Sequence, residues 1–181
     1  MRELILGGAR SGKSRCAERR AAAWLKTPGQ GATLLATAQA GDDEMIDRIM
    51  RHRIDRARRV PRLVTREVPL ALPEALEQAG PQQLLIIDCL TLWMTNLHMP
   101  LHGGPLRDAP AREGALLAAL TAARCDVVLV SNEIGLGVMP LSPEARCFVD
   151  TLGRLHQQLA AQCERVTLMV AGLEMRIKEA P

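Results

Sequence analysis

Short continuous apolar runs alternate along the chain with longer segments in which apolar residues recur every three or four positions. The clearest run is 84–88, where four aliphatic residues precede an aspartate. Such a run is typical of a strand that is covered on both faces in a parallel sheet. Runs of this kind predict strands at residues 4–6, 33–37, 63–68, 84–88, 127–131 and 166–171, with an edge strand at 175–178.

The segments between these strands carry helical spacing. In residues 42–59, Met45 and Ile49 recur at this spacing amid many charges, and three acidic residues open the segment, as capping and the helix dipole favour. Helices are predicted at residues 14–25, 42–59, 72–79, 90–97, 111–123 and 144–162, with a mobile Gly- and Pro-rich loop at 98–110.

The alternation of strands and helices predicts a three-layer α/β fold with a mostly parallel sheet. No linker, internal repeat or low-complexity tract divides the chain, so we expect a single domain over residues 1–181. Ligands of such folds gather beyond the carboxyl ends of the strands. The residues predicted at those ends are Gly7, Thr37, Asp88, Ser131 and Gly172.

Composition limits the core and the class of partner. Hydrophobic residues make up 48% of the chain but aromatic residues only 2%, so the core must be largely aliphatic. The formal net charge is +3, which is too mild to indicate nucleic-acid binding by itself. One phenylalanine, two tryptophans and no tyrosine also give few platforms for stacking bases. We therefore expect no nucleic-acid partner.

The cysteines and histidines show no metal-ligand spacing. Five cysteines are scattered without a C-x-x-C pair, which predicts reduced core residues. His98, His102 and His156 are expected on the surface. No apolar run approaches the roughly 18 residues of a membrane span, and no leader pattern opens the chain. These features predict a cytoplasmic protein.

Residues 7–14 read Gly-Gly-Ala-Arg-Ser-Gly-Lys-Ser and fit the phosphate-binding loop pattern G-x-x-x-x-G-K-[ST]. They lie between a predicted strand and a predicted helix. The glycines let successive backbone N–H groups face one phosphate, and the helix N-terminus adds partial positive charge. Lys13 is expected to reach the β- and γ-phosphates and Ser14 to hold Mg²⁺. The sequence thus predicts a RecA-like P-loop NTPase fold.

Asp88 is the candidate for the second acidic element of such a site. It follows the buried run 84–87, where a carboxylate can accept Mg²⁺-bound water beside the phosphate-binding loop. A solvated acid at a strand end, or a cap for the next helix, is the alternative.

His52 stands among arginines in the predicted helix 42–59. The ordinary interpretation is a solvated side chain. The functional interpretation is a neutral imidazole nucleophile that forms a phosphoramidate. Neighbouring arginine charges should lower its pKa, and Arg48, Arg51 and Arg53 are candidates to clamp triphosphate oxygens.

Residues 131–140 leave a predicted strand as a glycine-bearing loop with polar residues at its start. Asn132 and Glu133 are therefore candidates for contacts with nucleotide or substrate. An ordinary turn initiated by the asparagine is the alternative.

Four ordered segments, which together run over nearly the whole chain, resemble the bifunctional adenosylcobinamide kinase / adenosylcobinamide-phosphate guanylyltransferase family of cobalamin assembly. The first is the phosphate-binding loop at 7–14. The others are Asp42-Asp43-Glu44-Met45 with Arg48, Ile49 and His52; residues 88–93 with Thr95-Asn96-Leu97; and Ser131-Asn132-Glu133 with Gly135, residues 137–140, Gly153-Arg154-Leu155 and Ala171-Gly172-Leu173.

The resemblance implies two reactions. The family phosphorylates the aminopropanol hydroxyl of adenosylcobinamide with ATP or GTP, and then transfers GMP from GTP through a guanylyl-histidine at the position matching His52. It also implies a homotrimer. With the motifs, it makes His52 and Lys13 the catalytic candidates, and Ser14 and Asp88 the Mg²⁺ candidates. The nucleotide-binding candidates are Gly7, Gly8, Ala9, Arg10, Ser11, Gly12, Lys13, Ser14, Thr37, Arg48, Arg51, Arg53 and Glu133.

Two other functions stay open on the residues alone. A monofunctional P-loop small-molecule kinase would leave His52 incidental. A nucleotide-gated binding module would carry out no group transfer. A covalent guanylyl adduct would separate both from the bifunctional enzyme.

Overall fold

A seven-stranded sheet forms the centre of the computed structural model, which describes residues 1–102, 104 and 106–179. Its strands are β1 (Arg2–Gly7), β2 (Gly31–Ala36), β3 (Val64–Glu67), β4 (Gln83–Asp88), β5 (Asp126–Val130), β6 (Arg165–Val170) and β7 (Leu173–Glu179). The spatial order is β3-β2-β4-β5-β1-β6-β7. All neighbouring pairs are parallel except β6 and β7, which are antiparallel.

The register of the central strands brings their carboxyl ends to one edge of the sheet. Asp88 at the end of β4 is paired with Ala36 of β2 on one side and Val130 of β5 on the other. Val130 is in turn paired with Ile5 of β1. The phosphate-binding loop, Thr37, Asp88 and Ser131 therefore leave the sheet at the same edge.

Helices cover both faces of this sheet and make the predicted three layers. They are α1 (Lys13–Trp24), α2 (Asp43–Arg59), α3 (Leu72–Glu77), α4 (Leu90–His98), α5 (Ala109–Ala122) and α6 (Pro143–Gln162). Successive strand residues alternate between two buried clusters: Ile87 packs in the cluster formed with α3 to α6, and Ile86 in the one formed with α1. This two-sided burial explains why the strands read as continuous apolar runs.

The predicted strands and helices are present, with small shifts at their ends. The loop predicted at 98–110 is shorter than expected, because α4 includes His98 and α5 begins at Ala109 with a proline in its first turn. Proline suits the first turn because its missing N–H has no intrahelical partner there. Gly103 and Pro105 of this predicted loop lie outside the described residues.

Two expectations about exposure were wrong. His156, expected on the surface, is buried on the inner face of α6, where its neighbours Leu155 and Leu159 enter the core. Cys147, expected in the core, is exposed on the same helix, whereas the other four cysteines are buried. Both errors have one cause: the face that a helix buries is set by its packing partners.

Within the described residues, no helix combines the length and the apolar character needed to cross a bilayer. Nor does that part of the chain contain a cluster of three or more His, Cys, Asp or Glu side chains able to hold a metal ion.

Candidate functional site

The phosphate-binding loop joins β1 to α1 in a conformation that depends on glycine. Gly12, the residue before α1, has φ of 98°, in the left-handed region that favours glycine. A Cβ atom at Gly7 would lie 2.5 Å from the carbonyl oxygen of Met169 and 2.7 Å from Ser11 Oγ. The loop therefore has no room for side chains at these positions, and its backbone curls against the N-terminus of α1.

Lys13 lies buried within the curl of this loop. Its Nζ donates to the carbonyl oxygens of Gly7 at 2.9 Å and Gly8 at 2.6 Å. Burial lowers the pKa of Lys13. The Ser11 hydroxyl beside it is also buried and has no hydrogen-bond partner among the described residues. An orphaned donor beside a buried ammonium group fits an anion such as a phosphate.

Asp88 is held at the edge of the sheet by its neighbours on β2 and α4. The Thr37 hydroxyl donates to the carbonyl of Cys89 at 2.7 Å and accepts from the Cys89 N–H at 2.9 Å. Asn96 donates to the carbonyl of Thr37 at 2.8 Å. Thr37 was predicted as a nucleotide contact; its hydroxyl is instead engaged in fixing the Asp88–Cys89 turn. A direct contact between Thr37 and a nucleotide stays a prediction.

Helix α2 carries His52 and is almost wholly exposed. Its start matches the expectation from the acidic residues, since the Asp42 side chain accepts from the N–H of Met45 at 2.7 Å. Arg56 is its one buried residue in the part that the structure describes. Arg56 donates to the Thr65 hydroxyl at 3.0 Å and lies 3.8 Å from buried Glu18 of α1. This contact anchors the end of α2 to the body of the protein.

The anchor also orients His52, because residues four apart lie on the same face of a helix. The charge of Asp88 acts on Lys13, His52 and Arg56 and raises the pKa of each, against the larger lowering by burial. The loop lysine and the helix histidine therefore both lie within electrostatic range of the strand-end carboxylate.

The pKa of His52 is lowered, as predicted, but the largest cause differs from the expected one. Burial has the largest effect, and Arg48 and Arg56 add to it, whereas Asp88 and Asp55 oppose it. The imidazole is thus partly desolvated, although the residue as a whole is exposed. A neutral imidazole retains the lone pair that a nucleophile needs.

The three candidate arginines of α2 point to different places. Arg48 lies near both Lys13 and His52, and its charge lowers both pKa values. Arg53 forms an ion pair with Glu67 of β3. Arg51 is exposed and donates to the carbonyl of Asp47 in its own helix. Of the three, Arg48 is thus the one whose charge reaches Lys13 and His52, and phosphate contacts by Arg48, Arg51 and Arg53 all stay predictions.

A cavity of about 660 Å³ lies along the face of α2 that carries Arg53. The ends of β2 and β3 and the segment after α4 form its other walls. Its lining residues are Ala38, Gln39, Ala40, Ile46, Ile49, Met50, Arg53, Glu67, Pro69, Pro100, Leu101 and His102. Its volume falls within the range of small-ligand pockets.

Glu133 follows β5 and lies directly against the phosphate-binding loop. Its N–H donates to the carbonyl of Gly7 at 3.0 Å, the same oxygen that Lys13 contacts. Its carboxylate accepts from the N–H of Gly135 at 2.7 Å. The structure therefore places this predicted residue at the site.

Comparison with known proteins identifies the family. The family model described as cobinamide kinase / cobinamide phosphate guanyltransferase matches residues 3–177. The chain belongs to this family. It is 52% identical to the bifunctional adenosylcobalamin biosynthesis protein CobP of Pseudomonas aeruginosa, with 100% of this chain and 99% of that protein covered. It is 34% identical to the protein CobU of Escherichia coli, with 97% and 98% covered.

Membership of the cobinamide kinase / cobinamide phosphate guanyltransferase family confirms the resemblance that the four segments indicated. The fold prediction is confirmed as well. The crystal structure of the flagellar accessory protein FlaH from Methanocaldococcus jannaschii superposes with a TM-score of 0.53 at 12% identity, covering 99% of this chain and 78% of that one. At this identity the likeness concerns the fold alone.

Sequence reasoning missed the side chains that support the site in this family member. Glu18 and Arg56 read as ordinary charged helix residues, yet both are buried. Asn96 lies in a recognised motif but was given no role. The available signal was weak: Asn96 has apolar neighbours one turn away, whereas Arg56 lies among other charged residues in the sequence.

Proposed function

We propose that this chain phosphorylates the aminopropanol hydroxyl of adenosylcobinamide with ATP or GTP and then transfers GMP from GTP to that phosphate. The family match over residues 3–177 supports both activities. The observation that supports the residue assignment is that the charge of Asp88 acts on both Lys13 and His52. A single nucleotide lying between the loop and α2 can therefore meet the groups needed for either reaction.

In the kinase step, the phosphate-binding loop positions the nucleotide. The N–H groups of residues 7–14 bind phosphate oxygens, and Lys13 leaves the carbonyls of Gly7 and Gly8 to contact the β- and γ-phosphates. The substrate hydroxyl attacks the γ-phosphorus, and the nucleoside diphosphate leaves with the electrons of the broken P–O bond. Lys13 stabilises the charge that moves onto the leaving oxygens.

The donor atoms near the loop fit Mg²⁺. Ser14 and Asp88 offer a hydroxyl and a carboxylate, and Mg²⁺ at nucleotide sites usually takes one or two protein oxygens besides phosphates and water. Bound there, the ion would neutralise phosphate charge in the transition state.

In the guanylyl step, neutral His52 attacks the α-phosphorus of GTP and pyrophosphate leaves. The resulting phosphoramidate then passes GMP to the phosphate of the first product, which regenerates the free imidazole. The charge of Arg48 reaches both Lys13 and His52, so Arg48 can stabilise the negative charge of the phosphates in both reactions. We assign the cavity beside α2 to the nucleoside of GTP, because Ile49 and Arg53 of its wall flank His52 in the sequence.

We further propose that the protein is a cytoplasmic homotrimer with no nucleic-acid partner. The edge strand β7 supports self-association. Leu173, Met175 and Ile177 of β7 are all at least half exposed. Exposed apolar residues on an edge strand favour contact with another chain.

The decisive experiment incubates the protein with α-labelled GTP and Mg²⁺ and then denatures it. Label that stays bound, is lost in acid and survives in base indicates a guanylyl-histidine. The adduct must map to the peptide that contains His52. Phosphorylation of adenosylcobinamide without any adduct would support the monofunctional kinase instead.

A further inference from the structure

Residues 131–133 connect the phosphate-binding loop to the interior of the protein. Backbone hydrogen bonds join Ser131 to the carbonyl of Ile5 and Glu133 to the carbonyl of Gly7, both at 3.0 Å. Because β5 lies between β1 and β4, this segment sits between the loop and Asp88. The backbone N–H of Glu133 and the Lys13 ammonium group therefore donate to the same acceptor, the carbonyl oxygen of Gly7.

A buried hydrogen-bond network of polar side chains fixes this segment on its interior side. His156 Nε2 lies 2.7 Å from Ser131 Oγ, which lies 3.1 Å from Thr91 Oγ1. Thr91 Oγ1 also accepts from the N–H of Asn132 at 2.8 Å. Polar groups this deeply buried destabilise the fold unless they are paired, and here they pair with one another across α4, β5 and α6. The network thus holds residues 131 and 132 in place.

Glu133 directly follows the two residues that the network fixes, so the position of its backbone is also restricted. One of its oxygens, Oε1, accepts from Gly135 N–H at 2.7 Å, and its charge is close enough to raise the pKa of His156 against the larger lowering by burial. The loop beyond Gly135 is exposed, with Leu136 and Val138 open to solvent. Glu133 is therefore the last partly buried residue before an exposed stretch of the loop.

We propose that Glu133 accepts the proton of the substrate hydroxyl in the kinase step, and that His156 and Ser131 are positioning residues for it. This inference rests on the proposed function. As the hydroxyl oxygen bonds to the γ-phosphorus, the O–H bond breaks and its proton passes to the carboxylate. The γ-phosphorus loses its bond to the bridging oxygen, which leaves with the nucleoside diphosphate. Glu133 then returns the proton to water.

This role fits Glu133 better than a direct contact with the triphosphate, whereas a substrate contact is among those predicted from the sequence. A carboxylate beside a triphosphate repels it, because like charges disfavour each other at short range. A neutral hydroxyl arriving next to the γ-phosphate offers a proton that the same carboxylate can accept.

The test compares four variants in two assays of the full-length protein. One assay measures kcat and nucleotide KM for phosphorylation of adenosylcobinamide, and the other measures the rate of His52 guanylylation by GTP without corrinoid. The Glu133→Gln variant keeps the shape and the hydrogen bond to Gly135. Its kcat is expected to fall by about 100-fold or more, with nucleotide KM and adduct formation unchanged, since general-base catalysis is typically worth that much.

The positioning residues are tested by matched substitutions. His156→Leu and Ser131→Ala are expected to lower kcat in the same selective way, and His156→Gln to restore most of it by keeping an amide nitrogen near Ser131. A rise in nucleotide KM, or equal losses in both assays, would overturn the proposal in favour of a nucleotide-binding or purely structural role. Full kinase activity of Glu133→Gln would also overturn it. A wild-type protein without kinase activity would overturn the proposed function together with this inference.

Discussion

His52 is exposed on a helix but its imidazole is partly desolvated, and the resulting low pKa decides how guanylylation should respond to pH. Its pKa lies below the ordinary histidine value, so the imidazole stays neutral to a lower pH than a free histidine does. We expect guanylylation to persist through mildly acidic conditions and to fall only as the pH drops through the lowered pKa. The His52→Asn variant is expected to form no adduct while it still phosphorylates adenosylcobinamide. Mass spectrometry after GTP treatment at stepped pH checks both points, and an adduct on the variant would contradict the assignment.

Lys13 is the second residue whose removal has a defined effect. The Lys13→Ala variant should lose roughly 100- to 1000-fold in kinase kcat, because a fixed positive charge at the transferred phosphate is worth about 3–4 kcal/mol. Circular dichroism and thermal melting should show that the variant is folded. Near wild-type turnover by the folded variant would remove Lys13 from the mechanism.

At the scale of elements, two arginines near the end of α2, buried Arg56 and partly exposed Arg59, attach the helix to buried Glu18 of α1. Replacing Arg56 by leucine should lower the free energy of unfolding by about 1–3 kcal/mol, the usual cost of losing a buried hydrogen bond to a charged group. It should also slow guanylylation, because His52 loses the anchor one turn away. Arg58→Leu is the matched control, since Arg58 is exposed on the same last turn. Equal effects of the two substitutions on denaturant unfolding and on adduct formation would show that Arg56 is not an anchor.

The existence of α2 could be predicted from its sequence, but its attachment could not. Acidic residues at its start and recurring apolar positions were sufficient signals for the helix. A buried arginine and an exposed one look the same in a sequence, and the partner Glu18 lies on another helix. The same holds for His156, whose burial depends on how α6 packs against α4, α5 and β1.

At the scale of the whole molecule, the P-loop fold was predictable because its central strands are covered on both faces. The spatial order was not, since no local signal places β5 between β4 and β1. That order brings Glu133 against the loop and Ser131 against His156. The phosphate-binding loop and Asp88 could thus be predicted from sequence motifs, whereas the contacts that support them depend on the strand order.

The exposed edge of the sheet gives a prediction at the same scale. The double variant Leu173→Glu, Met175→Glu should not self-associate, because burying two carboxylates in an apolar contact is unfavourable. Sedimentation should show a trimer for the wild type and a monomer for the double variant. Arg176→Glu, an exposed substitution on the same strand, serves as the control. A monomeric wild type would rule out the trimer.

The two carbonyl contacts of Lys13 have a consequence for the energetics of nucleotide binding. An ammonium group that already has acceptors at 2.9 and 2.6 Å gives up those contacts when it turns to a phosphate. Binding is therefore an exchange of partners, and the ground state gains little from it. The full benefit comes only when charge accumulates on the leaving oxygens, and only such differential stabilisation speeds a reaction. In this protein the lysine of the loop should therefore contribute to the rate of turnover far more than to the affinity for nucleotide.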